Sequence, residues 1–262
     1  MEITLQGKTA VVCGSTQGIG LAIADAFAAA GAACILVARS EDKLQSVVEK
    51  LQVHANAKHC YYVADFQDSH AVASIAAEIA NTSDVHILVN NTGGPKPGPI
   101  AGAVTSEFAT AFEQHVINNQ ILAQAFLPGM QKNKYGRIIN IVSTSVKQPL
   151  SNLGVSNTIR AAVAGWAKTW SNEVGQYNVT VNNILPGLTQ TSRLSSLVET
   201  MSKNSGVSVD EVVTGLQKEI PLRRFGEPSE LAALALFLAS PLASYITGTS
   251  IAVDGGRTAT LA

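Results

Sequence analysis

The amino-acid sequence predicts an α/β fold, in which a doubly wound, seven-stranded parallel sheet is covered by helices on both faces. Short apolar, β-branched runs alternate with longer segments of helical periodicity, and few residues separate one from the next. The 262 residues, of which 46% are apolar and 14% charged, suffice for one domain with a large buried core. Because no repeat or linker divides the sequence, residues 1–262 are predicted to form a single domain.

Seven runs have the length and composition of buried strands. They are Thr9–Cys13, Ala33–Ala38, His59–Val63, His86–Asn90, Arg137–Ser143, Thr180–Ile184 and Ser250–Val253. Six segments of helical periodicity lie near residues 18–30, 41–53, 68–80, 105–132, 152–175 and 228–239. An excursion at residues 188–222 interrupts this alternation, and its apolar residues recur at helical spacing. It is predicted to be a small helical lid over a cleft, the alternative being a plain surface excursion.

Composition excludes several classes of function. A net charge of -1 argues against a nucleic-acid partner. No apolar run has transmembrane length, and Met1–Thr4 lacks the pattern of a signal peptide, so we expect no membrane association and a cytoplasmic location. Cys13, Cys34 and Cys60 lie in strand-like runs and are predicted to be buried, reduced thiols. The five histidines never approach metal-ligand spacing, so no metal site is predicted.

The first strand runs directly into a glycine-rich turn and then a helical pattern. The turn consists of Gly14, Ser15, Thr16, Gln17, Gly18, Ile19 and Gly20. Glycines let the backbone bend tightly and approach a ligand, and a helix N-terminus offers free N–H groups to an anion. The order of strand, turn and helix therefore predicts the phosphate-binding turn of a dinucleotide site in a Rossmann fold. For the motif alone, a tight turn without a ligand is the alternative.

The end of the second strand indicates which dinucleotide fits. An acid at this position would bind the ribose 2′-hydroxyl of NAD, whereas an arginine accepts the 2′-phosphate of NADP. Here Ala38 is followed by Arg39, and no acid occurs before Glu41. Arg39 therefore favours NADP over NAD, the alternative being a merely solvated arginine.

Polar and small residues also follow the third and fourth strands. Asp65 and Phe66 close the third strand, where the carboxylate could reach an adenine amine. Asn91, Thr92 and Gly93 follow the fourth, where small residues and amides leave room for a cofactor. Each residue alone is a common turn former. Together they fall at the carboxyl ends of parallel strands, where ligands bind in an open sheet.

Six motifs follow one another along the chain. They are Gly14–Gly20, Asn90–Gly93, Gly136–Ser143, Asn182–Gly187, Pro221–Gly226 and the stretch from Gly248 through Gly256. In this order and spacing the whole chain resembles the β-ketoacyl-carrier-protein-reductase-like group of short-chain dehydrogenases/reductases. The resemblance implies hydride transfer between a nicotinamide and a carbonyl or alcohol carbon, and a homotetramer built through the helices near 105–132 and 152–175. It also implies that the nicotinamide is flanked by Pro186, Gly187, Thr189 and Thr191.

The catalytic positions depart from the family pattern. The family uses a Tyr to give or take the proton, a Lys four residues later, a Ser that polarises the carbonyl and an Asn that orders a proton relay. Ser143 matches the serine. Ser156 stands at the tyrosine position, Arg160 at the lysine position and His115 at the asparagine position. The chain resembles a subgroup of the family with this Ser-x-x-x-Arg pattern.

The chemistry of these replacements differs from that of the residues they replace. Ser156 is a poor direct acid because an aliphatic hydroxyl is far less acidic than a phenol, but its short side chain leaves space for a water or part of a substrate. Arg160 keeps the positive charge and can hold a ribose, yet it cannot pass on a proton. His115 titrates near neutral pH and is the most obvious replacement acid, acting through water. The alternative for His115 is a core histidine satisfied by a carbonyl.

We therefore expect an NADP(H)-dependent oxidoreductase acting on a small carbonyl or alcohol, 3-oxoacyl-like compounds among them. Ser143 would polarise the substrate oxygen, Arg160 would hold the ribose, and the proton would come from water held by Ser156 or from His115. The stiff loop at Gly93–Pro99 and the apolar lid indicate an apolar substrate. The missing tyrosine favours the alternative, a catalytically impaired cofactor-binding protein such as a redox sensor or a non-catalytic assembly subunit.

Overall fold

A computed structural model describes residues 3–54 and 57–260 of the chain. Its strands are β1 Thr9–Cys13, β2 Ala33–Ala38, β3 Cys60–Val63, β4 Ile87–Asn90, β5 Gly136–Ile141, β6 Val179–Pro186 and β7 Ser250–Val253. They form one sheet of seven parallel strands in the order β3-β2-β1-β4-β5-β6-β7. The predicted fold class is confirmed. Met1 and Glu2, on which part of the signal-peptide argument rests, lie outside the described residues.

Nine α-helices occur in the described ranges. They are α1 Gly18–Ala29, α2 Glu41–Lys50, α3 Ser69–Thr82, α4 Thr105–Phe112, α5 Asn118–Lys132, α6 Gly154–Val174, α7 Ser192–Ser205, α8 Val209–Lys218 and α9 Pro228–Ala239. A π-helix at Glu113–Ile117 joins α4 to α5, so the helix predicted at 105–132 is three segments. Such single-turn π-helices within a longer helix are frequent at functional sites.

The sheet is buried on both faces, which explains why its inner strands are mostly apolar. On one face Phe27 of α1, Leu44 of α2 and Leu238 of α9 pack against it. On the other face Ile79 of α3 and Phe126 of α5 do so, together with residues of α6. Helices on both faces of a parallel sheet are the signature of a doubly wound fold.

The order of strands reverses beside β1, whose neighbours are β2 and β4. In an open parallel sheet, such a switch point creates a crevice at the carboxyl ends of the strands. The turn after β1 and the loops after β4, β5 and β6 all leave the sheet at this edge. The fold therefore brings the predicted site segments to one place.

The excursion at residues 188–222 forms the helix pair α7 and α8. They pack on each other through a separate apolar cluster that includes Leu194, Val198, Val212 and Leu216. Thr191 caps α7 and Ser208 caps α8, each accepting a hydrogen bond from a backbone N–H of its helix. The predicted helical pair is therefore present, and its function as a lid stays a prediction.

The prediction of three buried cysteines is wrong for Cys60, which is exposed, whereas Cys13 and Cys34 are buried. Cys60 begins β3, the outermost strand on that side of the sheet, so it has a strand neighbour on one side only. Burial raises the pKa of Cys13 and of Cys34 to about 12.

The described ranges contain no helix that is long and apolar enough to cross a membrane. They also hold no group of three or more His, Cys, Asp or Glu residues that could ligate a metal ion.

Candidate nucleotide-binding and active site

The turn between β1 and α1 requires glycine for steric reasons. Gly14 and Gly18 have φ angles of +58° and +55°, which side chains rarely adopt. A Cβ atom at Gly20 would lie 2.2 Å from the carbonyl oxygen of Gly14. Nδ2 of Asn91 donates to that same oxygen at 3.1 Å, so the loop after β4 fixes the turn after β1. Asn91 therefore shapes the turn through its side chain.

The same turn presents unsatisfied hydrogen-bond donors. In the described structure no side chain caps α1, and its first turn carries no acid. The hydroxyl of Ser15 is fully buried and has no hydrogen-bond partner among the described residues. Free backbone N–H groups at a helix N-terminus, next to a buried hydroxyl, suit an anionic ligand such as a diphosphate. The side chain of Ile19 is partly buried and packs against the core.

Arg39 is exposed directly after β2. It makes no ion pair with any residue that the structure describes. The N–H of Gly14 donates to the carbonyl of Val37 at 2.8 Å, so the glycine turn and the end of β2 are adjacent. Arg39 is thus a free cation beside the turn, as binding of a 2′-phosphate requires.

Asp65 and Phe66 lie after β3, and each already accepts a hydrogen bond from another residue. Oδ1 of exposed Asp65 accepts from the N–H of Gln67 at 3.0 Å. The carbonyl of Phe66 accepts from Nδ2 of fully buried Asn118 at 2.7 Å. Asn118 was not predicted from the sequence. Its place inside an apolar helical pattern, where a polar residue needs a specific partner, could have singled it out.

Buried amides cross the sheet at the level of the site. Asn90 donates to Asn140 at 2.8 Å, Asn140 to Asn183 at 2.9 Å, and Asn183 to Ser250 at 3.0 Å. These residues are register partners on β4, β5, β6 and β7. The ladder fixes the relative positions of four strands, and sequence analysis had not identified it.

The loop after β5 and helix α6 hold three of the predicted catalytic residues. Oγ of Ser143 accepts from the N–H of Ser145 at 3.1 Å. Ser156 and Arg160 are both buried and lie one turn apart on α6. Nη1 of Arg160 donates to the carbonyl of Ile141 at 3.0 Å, which brings the guanidinium to within two residues of Ser143 along the chain. Nε of Arg160 has no hydrogen-bond partner in the described ranges.

His115 lies in the π-helix and is almost completely buried. Its Nδ1 is 2.8 Å from Oγ1 of Thr92, and its Nε2 has no hydrogen-bond partner among the residues described. Burial, together with the charges of Arg160 and Arg193, lowers the pKa of His115 to about 3. The imidazole is therefore neutral at neutral pH.

Arg193, in the first turn of α7, reaches the loop after β4. Its two Nη atoms donate to the carbonyl oxygens of Gly94 and Pro95 at 3.3 Å each. A Cβ atom at Gly94 would lie 2.9 and 3.0 Å from these nitrogens and 3.1 Å from Nη2 of Arg160. Arg193 was not predicted as a site residue. Its place in the first turn of a helix could have identified it, because the positive end of the helix dipole disfavours a cation there.

The residues predicted to flank the nicotinamide follow β6. A Cβ atom at Gly187 would lie 2.6 Å from Cα of Asp254, so only glycine fits between Pro186 and the segment after β7. Oγ1 of Thr189 donates to the carbonyl of Gly187 at 3.2 Å. Thr191 caps α7, and its Cγ2 atom lies 3.1 Å from the position that a Cβ atom of residue 18 would occupy if Gly18 had one. The segment that leads into the helix pair therefore contacts the glycine turn.

Comparison with known proteins identifies the family. The family described as enoyl-(acyl carrier protein) reductase matches residues 14–258 of the chain. NADPH-dependent reductase BacG of Bacillus subtilis is 34% identical over 251 residues, which cover 95% of this chain and 97% of BacG. The chain belongs to the short-chain dehydrogenase/reductase family.

Further members of this family match over their full length. The 3-oxoacyl-(acyl-carrier-protein) reductase FabG of Aquifex aeolicus is 34% identical over 259 residues, covering 98% of this chain and 99% of FabG. The crystal structure of L-sorbose reductase from Gluconobacter frateurii, complexed with NADPH and L-sorbose, superposes with a TM-score of 0.92 at 33% identity and covers 100% of both chains. Together they confirm that the chain is a short-chain dehydrogenase/reductase, as its motifs predict.

The structure brings most of the predicted site residues of this short-chain dehydrogenase/reductase to the crevice. Gly14–Gly20, Arg39 and the residues after β4 meet around the switch point. His115, Arg160 and the unpredicted Arg193 meet next to Gly94. The roles of Ser143, Ser156, Arg160 and His115 in catalysis stay predictions.

Proposed function

We propose that this protein is an NADP(H)-dependent oxidoreductase that transfers hydride between a nicotinamide and a carbonyl or alcohol carbon. The observation that carries the proposal is the N-terminus of α1 with the hydroxyl of Ser15 and the nearby cation of Arg39, none of which has a side-chain partner among the described residues. These donors fit the diphosphate and the 2′-phosphate of NADP. BacG is NADPH-dependent by name and L-sorbose reductase was crystallised with NADPH, which supports this cofactor.

The remaining predicted residues would hold the other parts of NADP. Asp65 and Phe66 would contact the adenine, and Asn91, Thr92 and Gly93 would line the middle of the cofactor. Arg160 would hold the nicotinamide ribose. The nicotinamide itself would be flanked by Pro186, Gly187, Thr189 and Thr191. When bound, NADPH supplies the hydride that reduces a carbonyl carbon, and NADP accepts it in the reverse direction.

Ser143 and Arg160 would act on the substrate oxygen. Because Oγ of Ser143 accepts from a backbone N–H, its own O–H is left to donate to that oxygen. Burial lowers the pKa of Arg160 to about 10, with Arg193 contributing, so the guanidinium keeps its charge at neutral pH. A fixed cation stabilises negative charge that develops on the oxygen during reduction.

Water is the proton source that we propose. An imidazole with a pKa near 3 carries too little of its protonated form at pH 7 to act as the acid, which argues against His115 in that role. The short side chain of Ser156 leaves the space that a tyrosine would fill, and its hydroxyl can hold a water there. His115 then orients the site through Thr92.

Binding and turnover together test this function. NADPH affinity is measured by titration, and NADPH oxidation is followed over a panel of aldehydes, ketones and oxo acids. Tight NADPH binding with oxidation on at least one substrate supports the reductase. Tight binding without oxidation on any substrate contradicts it and supports the alternative, a cofactor-binding sensor or assembly subunit.

The substrate we propose has an apolar part. Leu188, Leu197 and Val213 lie on the apolar cluster of the helix pair over the crevice. The proline-rich segment Gly93–Pro99 is held to the start of α6 by two backbone hydrogen bonds, from Gly98 to Asn152 and from Gly154 to Gly98. A stiff wall and an apolar lid suit an acyl chain or a cyclic ketone, including 3-oxoacyl-like compounds.

We propose a homotetramer built through α4, α5 and α6. Phe112 and Ile117 are exposed on this face, beside a groove of about 570 Å³ that Phe108 and Ile159 also line. An apolar groove rimmed by helices suits contact with a second copy. Light scattering of the purified protein measures the mass, and a smaller assembly for Phe112→Glu supports this face.

We further propose a cytoplasmic location, which the unpaired cysteines support.

A further inference from the structure

Arg160 and Arg193 bring two guanidinium groups together beside Gly94. The arginines come from different elements, the buried face of α6 and the first turn of α7. Three of their Nη nitrogens lie 2.9 to 3.1 Å from the point where a Cβ of Gly94 would be. Because residue 94 is glycine, both groups reach the same part of the cleft.

No carboxylate neutralises this pair within the described residues. Arg160 donates to the carbonyl of Ile141, and Arg193 donates to the carbonyls of Gly94 and Pro95. The ion pairs of the described chain involve other cations, Lys132, Arg224 and Arg257. Two like charges at the mouth of a partly desolvated cleft are unfavourable without a counter-ion. Nε of Arg160 also lacks a partner in the described structure and is available to an acceptor.

The position of Arg193 on its helix adds to this uncompensated charge. It is the second residue of α7, whose first turn contains no acid. A cation at this end is opposed by the helix dipole, whereas an anion there is favoured. Arg193, the adjacent helix N-terminus and Arg160 therefore all favour a negative group in front of Gly94.

The position in the cleft separates this anion from the phosphates of NADP. The uncapped end of α1 and Ser15 suit the diphosphate, and Arg39 suits the 2′-phosphate. Gly94 lies two residues beyond Thr92, which contacts His115, in the loop after β4, whereas Arg39 follows β2 on the other side of β1. An anion at Gly94 is therefore next to the proposed catalytic residues.

We propose that Arg193, together with Arg160, binds a carboxylate of the substrate, so that the protein reduces oxo acids with an apolar remainder. This inference rests on the proposed function. The planar fork of arginine matches a carboxylate in two-point hydrogen bonding. In the reaction the carbonyl carbon gains a hydride from NADPH and its oxygen gains a proton, while the carboxylate is unchanged.

Pairs of substrates, one with the carboxylate and one with its neutral methyl ester, test the proposal. Phenyl-substituted 2-, 3- and 4-oxo acids are compared with the methyl ester of each, and the readout is the ratio of kcat/KM for acid over ester. We expect a ratio of at least about ten for the best pair, because a hydrogen-bonded charge adds roughly one to two powers of ten in binding. Arg193→Gln should bring the ratio close to one, and Arg193→Lys should restore part of it. Lys203→Gln, which removes a charge from the same helix, should leave the ratio unchanged.

A binding measurement separates failure of this inference from failure of the proposed function. Affinity of the same oxo acids for the NADP-bound protein is measured by calorimetry. Acid binding that Arg193→Gln abolishes supports the anion site even if no substrate is turned over. Equal ratios in the wild type and Arg193→Gln, with no acid binding, contradict the anion site while leaving the reductase standing. Loss of NADPH affinity in Arg193→Gln, with acid binding intact, contradicts it as well and assigns Arg193 to the cofactor.

Discussion

Oγ1 of Thr92 lies 2.8 Å from Nδ1 of His115, so the loop that follows β4 is tied to the π-helix between α4 and α5. The π-helix turns His115 inward, where only 2% of the residue is exposed. Burial and the positive charges of two arginines then keep the imidazole neutral. This contact connects the proposed cofactor loop to the helix that carries the residue in place of the family's asparagine.

His115 should make the protein sensitive to acid. Its pKa is about 3 in the folded state and 6.5 in the unfolded chain, so the unfolded chain binds the proton first as the pH falls below 6.5. The full contribution to stability is present above pH 6.5 and is lost progressively toward pH 3. Between pH 7 and pH 5 the wild type should lose about 2 kcal/mol more unfolding free energy than His115→Asn. Urea denaturation at both pH values measures this, and equal losses would contradict the low pKa.

Gly94 should be needed to let the two arginines converge. In Gly94→Ala the new Cβ would displace Nη atoms of both Arg160 and Arg193, because it lies about 3 Å from them. We expect kcat/KM for oxo acids to fall by roughly tenfold, the value of one charged hydrogen bond. Gly98→Ala in the same loop is the matched control, since no atom lies within 4 Å of its Cβ. A fall of the same size in both variants would assign the effect to loop stiffness.

Arg39 should select the phosphorylated cofactor. Arg39→Ala removes the free cation after β2 and should raise the Kd for NADPH by roughly 10- to 100-fold, while the Kd for NADH changes by less than about twofold. Lys50→Ala, at the far end of α2, serves as the control for net charge. Titration with both cofactors provides the measurement. Equal losses for NADPH and NADH would contradict binding of the 2′-phosphate.

Ser156 and Arg160 should act as a matched pair rather than as a damaged copy of the family's site. The double change Ser156→Tyr with Arg160→Lys fills the space at a residue that is 6% exposed and removes the donor to Ile141. We expect kcat/KM for the best substrate to fall by at least about 100-fold, the effect of disturbing general acid catalysis. A rise in activity over a broad carbonyl panel would instead indicate a degraded site that the family's residues repair.

The fold could be predicted closely because its signal is local. β1 and β2 have the predicted bounds, since a strand buried on both faces is a continuous apolar run between turn residues, and the bounds of β7 were predicted correctly as well. The exposure of Cys60 could not be predicted, because its apolar neighbours do not reveal that β3 is the outermost strand. The π-helix at Glu113–Ile117 was also missed, since it differs from an α-helix by one extra residue in a turn and leaves the apolar pattern almost unchanged.

The site could be predicted where its residues follow strands or stand at positions of the family pattern, as His115, Ser156 and Arg160 do. Arg39 and Asn91 come directly after β2 and β4, and the sheet edge brings them together. Arg193 contacts Gly94 from 99 residues away, and the helical spacing of residues 188–222 does not predict this contact. The low pKa of His115 likewise depends on burial and on that distant arginine. Contacts of this kind follow from the packed structure and not from sequence spacing.

Transfer of deuterium tests the central claim most directly. Under single-turnover conditions the protein is mixed with NADPH deuterated at both C4 positions and with the best oxo acid, and the product is analysed by mass spectrometry. The account predicts a hydroxy acid that carries one deuterium on the former carbonyl carbon and forms only with the protein present. NADPH that binds tightly while no substrate in the panel acquires deuterium would contradict it.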